Sequence, residues 1–413
     1  MKIVHLSFWD KQGGAAIAAN RLHKNMILEG NDSKMLVFDQ FMVNDSTVIS
    51  VASRMNKIFL YLLNVLESRI LSKFRPYIGN FSISYFGLHL SNHKSVIDAD
   101  VIYIHWINNN LISISEIGKI LKTTKPVVWF LHDMWPMTGG CHHSFDCTKY
   151  QSHCHSCDLL KSNKEHDISF KTLKNKIEKI GPYNNLTVVV PSEWMKECAR
   201  QSFLFRNKRI ALIPNLVDVN KFKPHDKIFA KNFFNLPLEK KVILFGADMG
   251  ETNPYKGWTF LRDALEIIES ECVIVTFGGE SLDLPGKLGT LPLYSVGKLF
   301  DEYSLILLYN ACDVFVMPSL AEAFGQTALE AISCGTPAVG FNVGGLPDII
   351  KHKETGYLVN YKDSFDLATG IDWVLNNELY DKLSLNCVNH ASTFFSSKVV
   401  IKQHIELINK VDC

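Results

Sequence analysis

Short apolar runs punctuate the chain. Each is followed by a turn containing Gly, Pro or Ser and then by a stretch whose apolar residues recur at helical spacing. The first series is IVHLSF at 3–8, KMLVF at 34–38, DVIYIHWI at 100–107, PVVWFLH at 126–132, LTVVVPS at 186–192 and RIALIPN at 209–215. Continuous apolar runs of this length, bounded by turns, mark strands buried on both faces. Their alternation with helical patterns predicts βα units around a parallel sheet. After Asn215 the sequence LVDVNKFKPHDK is polar, turn-rich and aperiodic, which predicts a linker. A second series then begins with KVILFGA at 241–247, CVIVTFGG at 272–279, DVFVMPS at 313–319 and PAVGF at 337–341. The predicted fold class is α/β, with two Rossmann-like, doubly wound parallel-sheet domains, 1–216 and 217–393. Ligands of such sheets bind beyond the carboxyl ends of the strands, so a shared cleft there is the expected active site.

Length agrees with two domains, because 413 residues exceed the roughly 250–300 at which single cores stop growing. The formal net charge of +1 supplies no field to hold a polyanion, which argues against nucleic acid as a partner. The N-terminus MKIVHLSFWDKQGG has neither a secretory pattern nor a spanning one, and the longest apolar run, IFLYLLNVL at 58–66, is about half of the ~20 residues a span requires. A cytoplasmic protein is expected. Residues 54–76 set Arg54, Lys57, Arg69, Lys73 and Arg75 among long aliphatics and aromatics, with one acid, Glu67. That pattern suits either peripheral contact with the inner face of a membrane or a core-facing helix with a solvated basic side.

The stretch DVFVMPSLAEAFGQTALEAISCGTPAVGF at 313–341 sets two glutamates, Glu322 and Glu330, in small and apolar surroundings. Pro318 and Ser319 end a strand, and a helix is expected from about Gly325 to Cys334, closed by Gly335. Glu322 then falls in the loop and Glu330 more than a turn inside the helix. Small residues at the helix start (Ala323, Gly325, Thr327, Ala328) let a ligand approach backbone N–H groups at the positive end of the helix dipole. A loop carboxylate suits sugar hydroxyls and one along the helix suits a ribose. The plainer reading makes Glu322 an exposed loop acid and Glu330 a solvated helix residue.

These residues resemble the retaining, nucleotide-sugar-dependent glycosyltransferases of family 4, which have the two-domain GT-B fold. The signature is glutamate, seven residues, glutamate, here within PSLAEAFGQTALEAISCGTPAVG. GGLPDII, TGYLV, IPNLVDVNKFKP and YNACDVFVMPS extend the resemblance along the chain. It implies a transferase moving a hexose from a nucleotide-diphosphate sugar, with retention, to a saccharide or polyprenyl-linked saccharide acceptor, as in bacterial surface-polysaccharide synthesis. By position, Glu322 would contact the donor sugar and Glu330 the ribose. Phe324, Gly325, Gln326 and Thr327 would line the donor, with Phe324 and Gly325 offering backbone amides. Lys256 in NPYKGW would neutralise the diphosphate, and Glu251 stands where an arginine is usual. Gly13 and Gly14, at a strand–helix junction, would approach the donor, and His132 in FLHDMWP would lie near the reacting face of the sugar, although a strand-end histidine is also a common packing residue. His105 is a weaker candidate of the same kind. The terminal segment 394–413 would pack back on the first domain. Catalysis of this kind requires no cofactor, since the leaving diphosphate can take the acceptor proton. Other GT-B-like reactions, epimerisation or phosphorolysis, and a non-catalytic zinc-bearing module are the alternatives.

CHHSFDCTKYQSHCHSC at 141–157 places Cys141, Cys147, Cys154 and Cys157 within seventeen residues. Four soft ligands so close suit a structural tetrahedral zinc. Reduced thiols without metal, or a redox pair, fit the same spacing.

Overall fold

The computed structural model describes residues 1–41, 45–72, 80–246, 253–279 and 286–410. The chain divides into two compact units, Met1–Leu216 with Val400–Cys413, and Val217–Val399.

The first unit is built on strands β1 (Lys2–Trp9), β2 (Asp32–Asp39), β3 (Val48–Ser50), β4 (Val101–Ile104), β5 (Val127–Phe130), β6 (Leu186–Val190) and β7 (Arg209–Leu212). They pair in the order β3-β2-β1-β4-β5-β6-β7, all parallel. The centre of the sheet is buried on both sides, β4, β5 and β6 without a single exposed residue. That is why these strands read as unbroken apolar runs. The helix Ser397–Asn409 contributes Val400, Ile401, Leu407 and Ile408 to the core that also holds Ile3, Leu22, Val101 and Phe130. Residues 394–399, at the head of the terminal segment, belong to the second unit.

In the second unit, β8 (Lys241–Gly246), β9 (Cys272–Phe277), β10 (Gly286–Leu288), β11 (Leu291–Ser295), β12 (Val314–Met317), β13 (Ala338–Phe341) and β14 (Gly356–Val359) pair in the order β10-β11-β9-β8-β12-β13-β14. Alternate residues of β8 serve two cores, Val242 and Leu244 on one face and Ile243 and Phe245 on the other. One pairing departs from the all-parallel expectation: β10 and β11 are antiparallel. Only Gly289 and Thr290 separate them, and a connection this short reverses the chain.

Both sheets change winding direction at one place, between β1 and β4 in the first unit and between β8 and β12 in the second. The crevice outside the carboxyl ends at such a reversal is where open α/β sheets hold ligands.

Candidate functional site

In the second unit the reversal brings together two segments that are far apart in sequence. After β8, the 3-10 turn Pro254–Lys256 is capped by Asn253, whose side chain accepts from the Tyr255 amide. After β12, Leu320 donates its amide to the Tyr255 carbonyl at 2.7 Å. This crossing puts Lys256 Nζ 3.1 Å from Glu322 Oε2, with both side chains largely but not wholly covered.

Two glycines fix the crossing. Gly257 has φ +67°, and a Cβ there would stand 1.9 Å from the Pro318 carbonyl oxygen. Gly344, at φ +58°, would set a Cβ 1.9 Å from the Glu322 carbonyl oxygen. Gly345 then donates its amide to that same oxygen at 3.0 Å. Only glycine combines these torsions with so close an approach. The GG of GGLPDII thus holds the backbone of Glu322.

Gly325, at φ +109°, caps the helix Gln326–Ser333. Phe324 is buried and turned into the core, its ring packed edge-on to Phe395, so its side chain is not available to a ligand. The Thr327 hydroxyl lies 3.8 Å from Met317 Sδ. Glu330 is 3% exposed, which excludes the solvated-helix reading. It accepts from the Tyr309 hydroxyl at 3.1 Å, and Gln326 Nε2 lies 3.5 Å from its other oxygen. Burial without a hydrogen-bonding partner would be prohibitive for a carboxylate. Tyr309, to which nothing in the glutamate spacing points, is one of those partners. Glu251 lies outside the described residues. Arg262 bonds the carboxylate of its neighbour Asp263 at 3.0 Å.

In the first unit, Gly13 caps the helix Gly14–Leu28 directly after β1, with φ +85°. A Cβ at Gly13 or Gly14 would meet nothing within 4 Å, so the helix start lies open. His132 follows β5 and is half-buried; its Nε2 is 3.0 Å from His105 Nδ1, and His105 Nε2 is 3.0 Å from His5 Nδ1. The three imidazoles form a column across β1, β4 and β5. Burial lowers all three pKa values, that of His132 to about 4 even though the Asp133 carboxylate beside it pulls the other way.

Asp133 ties down the cysteine-bearing loop. Its Oδ2 is 2.6 Å from His142 Nδ1 and accepts from Trp106 Nε1 at 2.8 Å, and its Oδ1 accepts the Trp135 amide. His142 Nε2 reaches Ser82 Oγ at 2.9 Å. The Ser82 amide donates to the Gly140 carbonyl and its own carbonyl accepts from Trp135 Nε1. The serine is therefore fixed at both backbone ends, as a fastening of residues 80–84 to the loop. Behind it Lys176, fully buried, lies 3.6 Å from the Trp135 ring centroid and donates to the Trp135 and Thr138 carbonyls. Burial pushes its pKa down to about 7.

Cys141 and Cys154 are buried, Cys147 and Cys157 partly so, and all four are free thiols. They lie close enough to influence one another electrostatically, and burial raises the pKa of Cys141 to about 12 and that of Cys154 further. Among the described residues no three His, Cys, Asp or Glu side chains converge as a metal site. The helix Arg54–Ser72 leaves Met55, Ile58, Tyr61 and Leu62 more than half exposed. Glu67, its one acid, is turned inward to accept from the Ile83 amide and Asn110. Among the described residues no helix is long and apolar enough to cross a membrane.

Comparison with known proteins bears on the whole arrangement. Residues 47–221 match the family described as Glycosyltransferase Family 4, and residues 226–393 match Glycosyl transferases group 1. The chain belongs to the group 1/family 4 superfamily of GT-B glycosyltransferases. D-inositol 3-phosphate glycosyltransferase 2 of Catenulispora acidiphila is 33% identical over 205 residues, 45% of this chain and 47% of the relative. An uncharacterized glycosyltransferase of Methanocaldococcus jannaschii is 28% identical over 270 residues, 62% of this chain and 68% of its own. The chain thus spans about half the length of the first of these curated relatives. In fold it is similar to sucrose-phosphate synthase from Thermosynechococcus elongatus, at TM-score 0.68 and 18% identity, covering 100% of this chain and 99% of that one. It is also similar to HepE of Anabaena, solved in complex with UDP-glucose, at TM-score 0.65 and 17% identity over 99% and 100% of the two chains.

Proposed function

We propose that the protein transfers a hexose from a nucleotide-diphosphate sugar to a saccharide or polyprenyl-linked saccharide, with retention, in the synthesis of a bacterial surface polysaccharide. The observation that carries the reading is the Lys256–Glu322 pair at the strand reversal, just ahead of the glycine-capped start of a helix in which Glu330 is buried. In this reading the Lys256 ammonium and the helix start hold the diphosphate and stabilise the charge that grows on it as the glycosidic bond breaks. Glu322 orients the sugar hydroxyls, Glu330 the ribose, and Gln326 and Thr327 line the path between them. Gly13 and Gly14 admit the donor closely, and His132 contacts the sugar. Catalysis then needs no metal, because the departing phosphate oxygen can accept the proton of the acceptor hydroxyl.

Nucleotide release from a panel of nucleotide sugars tests this. Turnover with at least one donor is expected, and its loss in Glu322→Ala. Unchanged turnover in both Glu322→Ala and Glu330→Ala removes the roles of the two carboxylates. Because relatives carry the name D-inositol 3-phosphate glycosyltransferase, an inositol phosphate belongs among the acceptors tried.

Two further assignments accompany this one. The exposed apolar side of Arg54–Ser72, together with Arg54, Lys57 and Arg69, supports peripheral contact with an anionic membrane, in keeping with a lipid-linked acceptor and a cytoplasmic protein. Sedimentation with anionic but not neutral vesicles is the expected result. The four thiols have the chemistry of a structural zinc site, which would draw them together and order the 141–157 loop. One zinc per chain by elemental analysis is expected, and none in a protein with all four cysteines changed to serine.

A further inference from the structure

Three imidazoles joined by two hydrogen bonds leave little freedom in where their protons sit. Burial keeps the column neutral, so each ring carries one N–H. His105 stands in the middle and uses both nitrogens, Nε2 toward His5 Nδ1 and Nδ1 toward His132 Nε2. A neutral ring cannot donate twice or accept twice. The protons therefore run in a single direction along the column, all toward His132 or all toward His5.

The two directions differ at their ends. If the protons run toward His5, an N–H is left on His5 Nε2, a buried atom with no hydrogen-bond partner. If they run toward His132, that nitrogen is bare and the terminal N–H falls on His132 Nδ1. His132 is only half-buried, and its Nδ1 is not among the buried atoms that lack partners, so an N–H there is not an orphaned donor. No buried group is orphaned at that end, and the His5 end decides. An orphaned buried N–H is rarer than an under-used acceptor.

We propose that His5 and His105 are positioning residues that lock His132 as the Nδ1–H tautomer, so that it presents a neutral donor and not a base. His132 then recognises an oxygen lone pair, that of a sugar hydroxyl or a phosphate oxygen. The contact with substrate rests on the transferase reading; the tautomer does not.

Long-range proton–nitrogen correlation of the ¹⁵N-labelled protein at pH 7, without substrate, reads the tautomer directly. His132→Gln, which deletes the His132 signals, assigns them. The expected wild-type spectrum has a protonated-type Nδ1 and a bare-type Nε2. A protonated Nε2 overturns the proposal, whatever any variant does. His105→Phe keeps a ring between its neighbours and removes both hydrogen bonds. There the His132 nitrogens should move to values averaged over both tautomers, and kcat/KM for the donor should fall about tenfold, the effect of roughly one hydrogen bond. Unchanged nitrogen shifts in that variant would sink the role of His105. Wild-type turnover in His132→Gln, with the tautomer as expected, would overturn the contact with substrate alone.

Discussion

Lys256 and Glu322 meet at 3.1 Å although 66 residues separate them in sequence. Each stands on backbone that a glycine admits, Gly257 against the Pro318 carbonyl and Gly344 against that of Glu322. The carboxylate neutralises the lysine that the proposal assigns to the diphosphate, so the two substitutions should part company. Glu322→Gln should bind free nucleotide diphosphate as well as the wild type or better, yet lose turnover. Lys256→Met should lose both. Calorimetry with the nucleotide alone, set beside nucleotide-sugar turnover, measures the difference. Equal loss of nucleotide affinity in both variants would contradict it.

Glycine geometry makes a separate prediction. Gly344→Ala would force the loop carrying Glu322 to move, and a misplacement of about 1 Å near the reacting atoms costs roughly a hundredfold in rate. Gly14→Ala is the counterpart, because its Cβ enters open space at a helix start and should leave the melting temperature unchanged or slightly raised. Turnover should nonetheless fall if the donor lies against that backbone. Wild-type turnover in Gly14→Ala would remove Gly14 from the donor site.

Tyr309 and Glu330 form a pair of another kind, one that serves stability before any ligand arrives. Tyr309→Phe should cost about 1 kcal/mol, and Glu330→Ala, which leaves the tyrosine hydroxyl buried without this acceptor, roughly 1–3 kcal/mol. Urea denaturation followed by intrinsic fluorescence measures both. A Glu330→Ala protein as stable as the wild type would mean that the pair does not hold the helix.

Acid should weaken the first unit. His23 and His404, both buried, have pKa values lowered by burial to about 4 and about 3, while an unfolded histidine titrates near 6.5. Between those values the unfolded chain binds the extra protons, so the stability they contribute is complete above about pH 6.5. It is lost as pH falls, by roughly 1.4 kcal/mol per unit for each group. Denaturation midpoints measured from pH 7.5 to 4.5 should be flat at first and then decline. A profile flat down to pH 4.5 would contradict the burial of these rings as neutral groups.

The parts of this protein that were legible in its sequence are those with local causes. Apolar runs marked the central strands because both faces of those strands are buried, and the Gly325–Cys334 helix was visible from its bounding glycines. The edge strands Val48–Ser50, Gly286–Leu288 and Gly356–Val359 escaped because each is only three or four residues long and partly exposed, too short to stand out as an apolar run. For Glu330, its apolar neighbours Leu329, Ala331 and Ile332 were the clue to burial, but nothing pointed to Tyr309, twenty-one residues earlier on another helix. The histidine column was equally hidden. Its members lie 100 and 27 residues apart, and only the strand order β1-β4-β5 makes them neighbours. His105, the weakest of the strand-end candidates by sequence, is the ring on which the other two depend.

The helix Ser397–Asn409 sets a timetable for the newborn chain. Ile3 and Val101 emerge from the ribosome early, but Val400, Ile401, Leu407 and Ile408, which share their core, come only after the whole of Val217–Val399 has been made. At synthesis rates of about 5–20 residues per second, that delay is roughly 10–40 s. Throughout it the first sheet waits without the helix that completes this core, whereas the second unit has every residue of its own cores as soon as Phe395 is made. The first unit to be translated is the last to be finished.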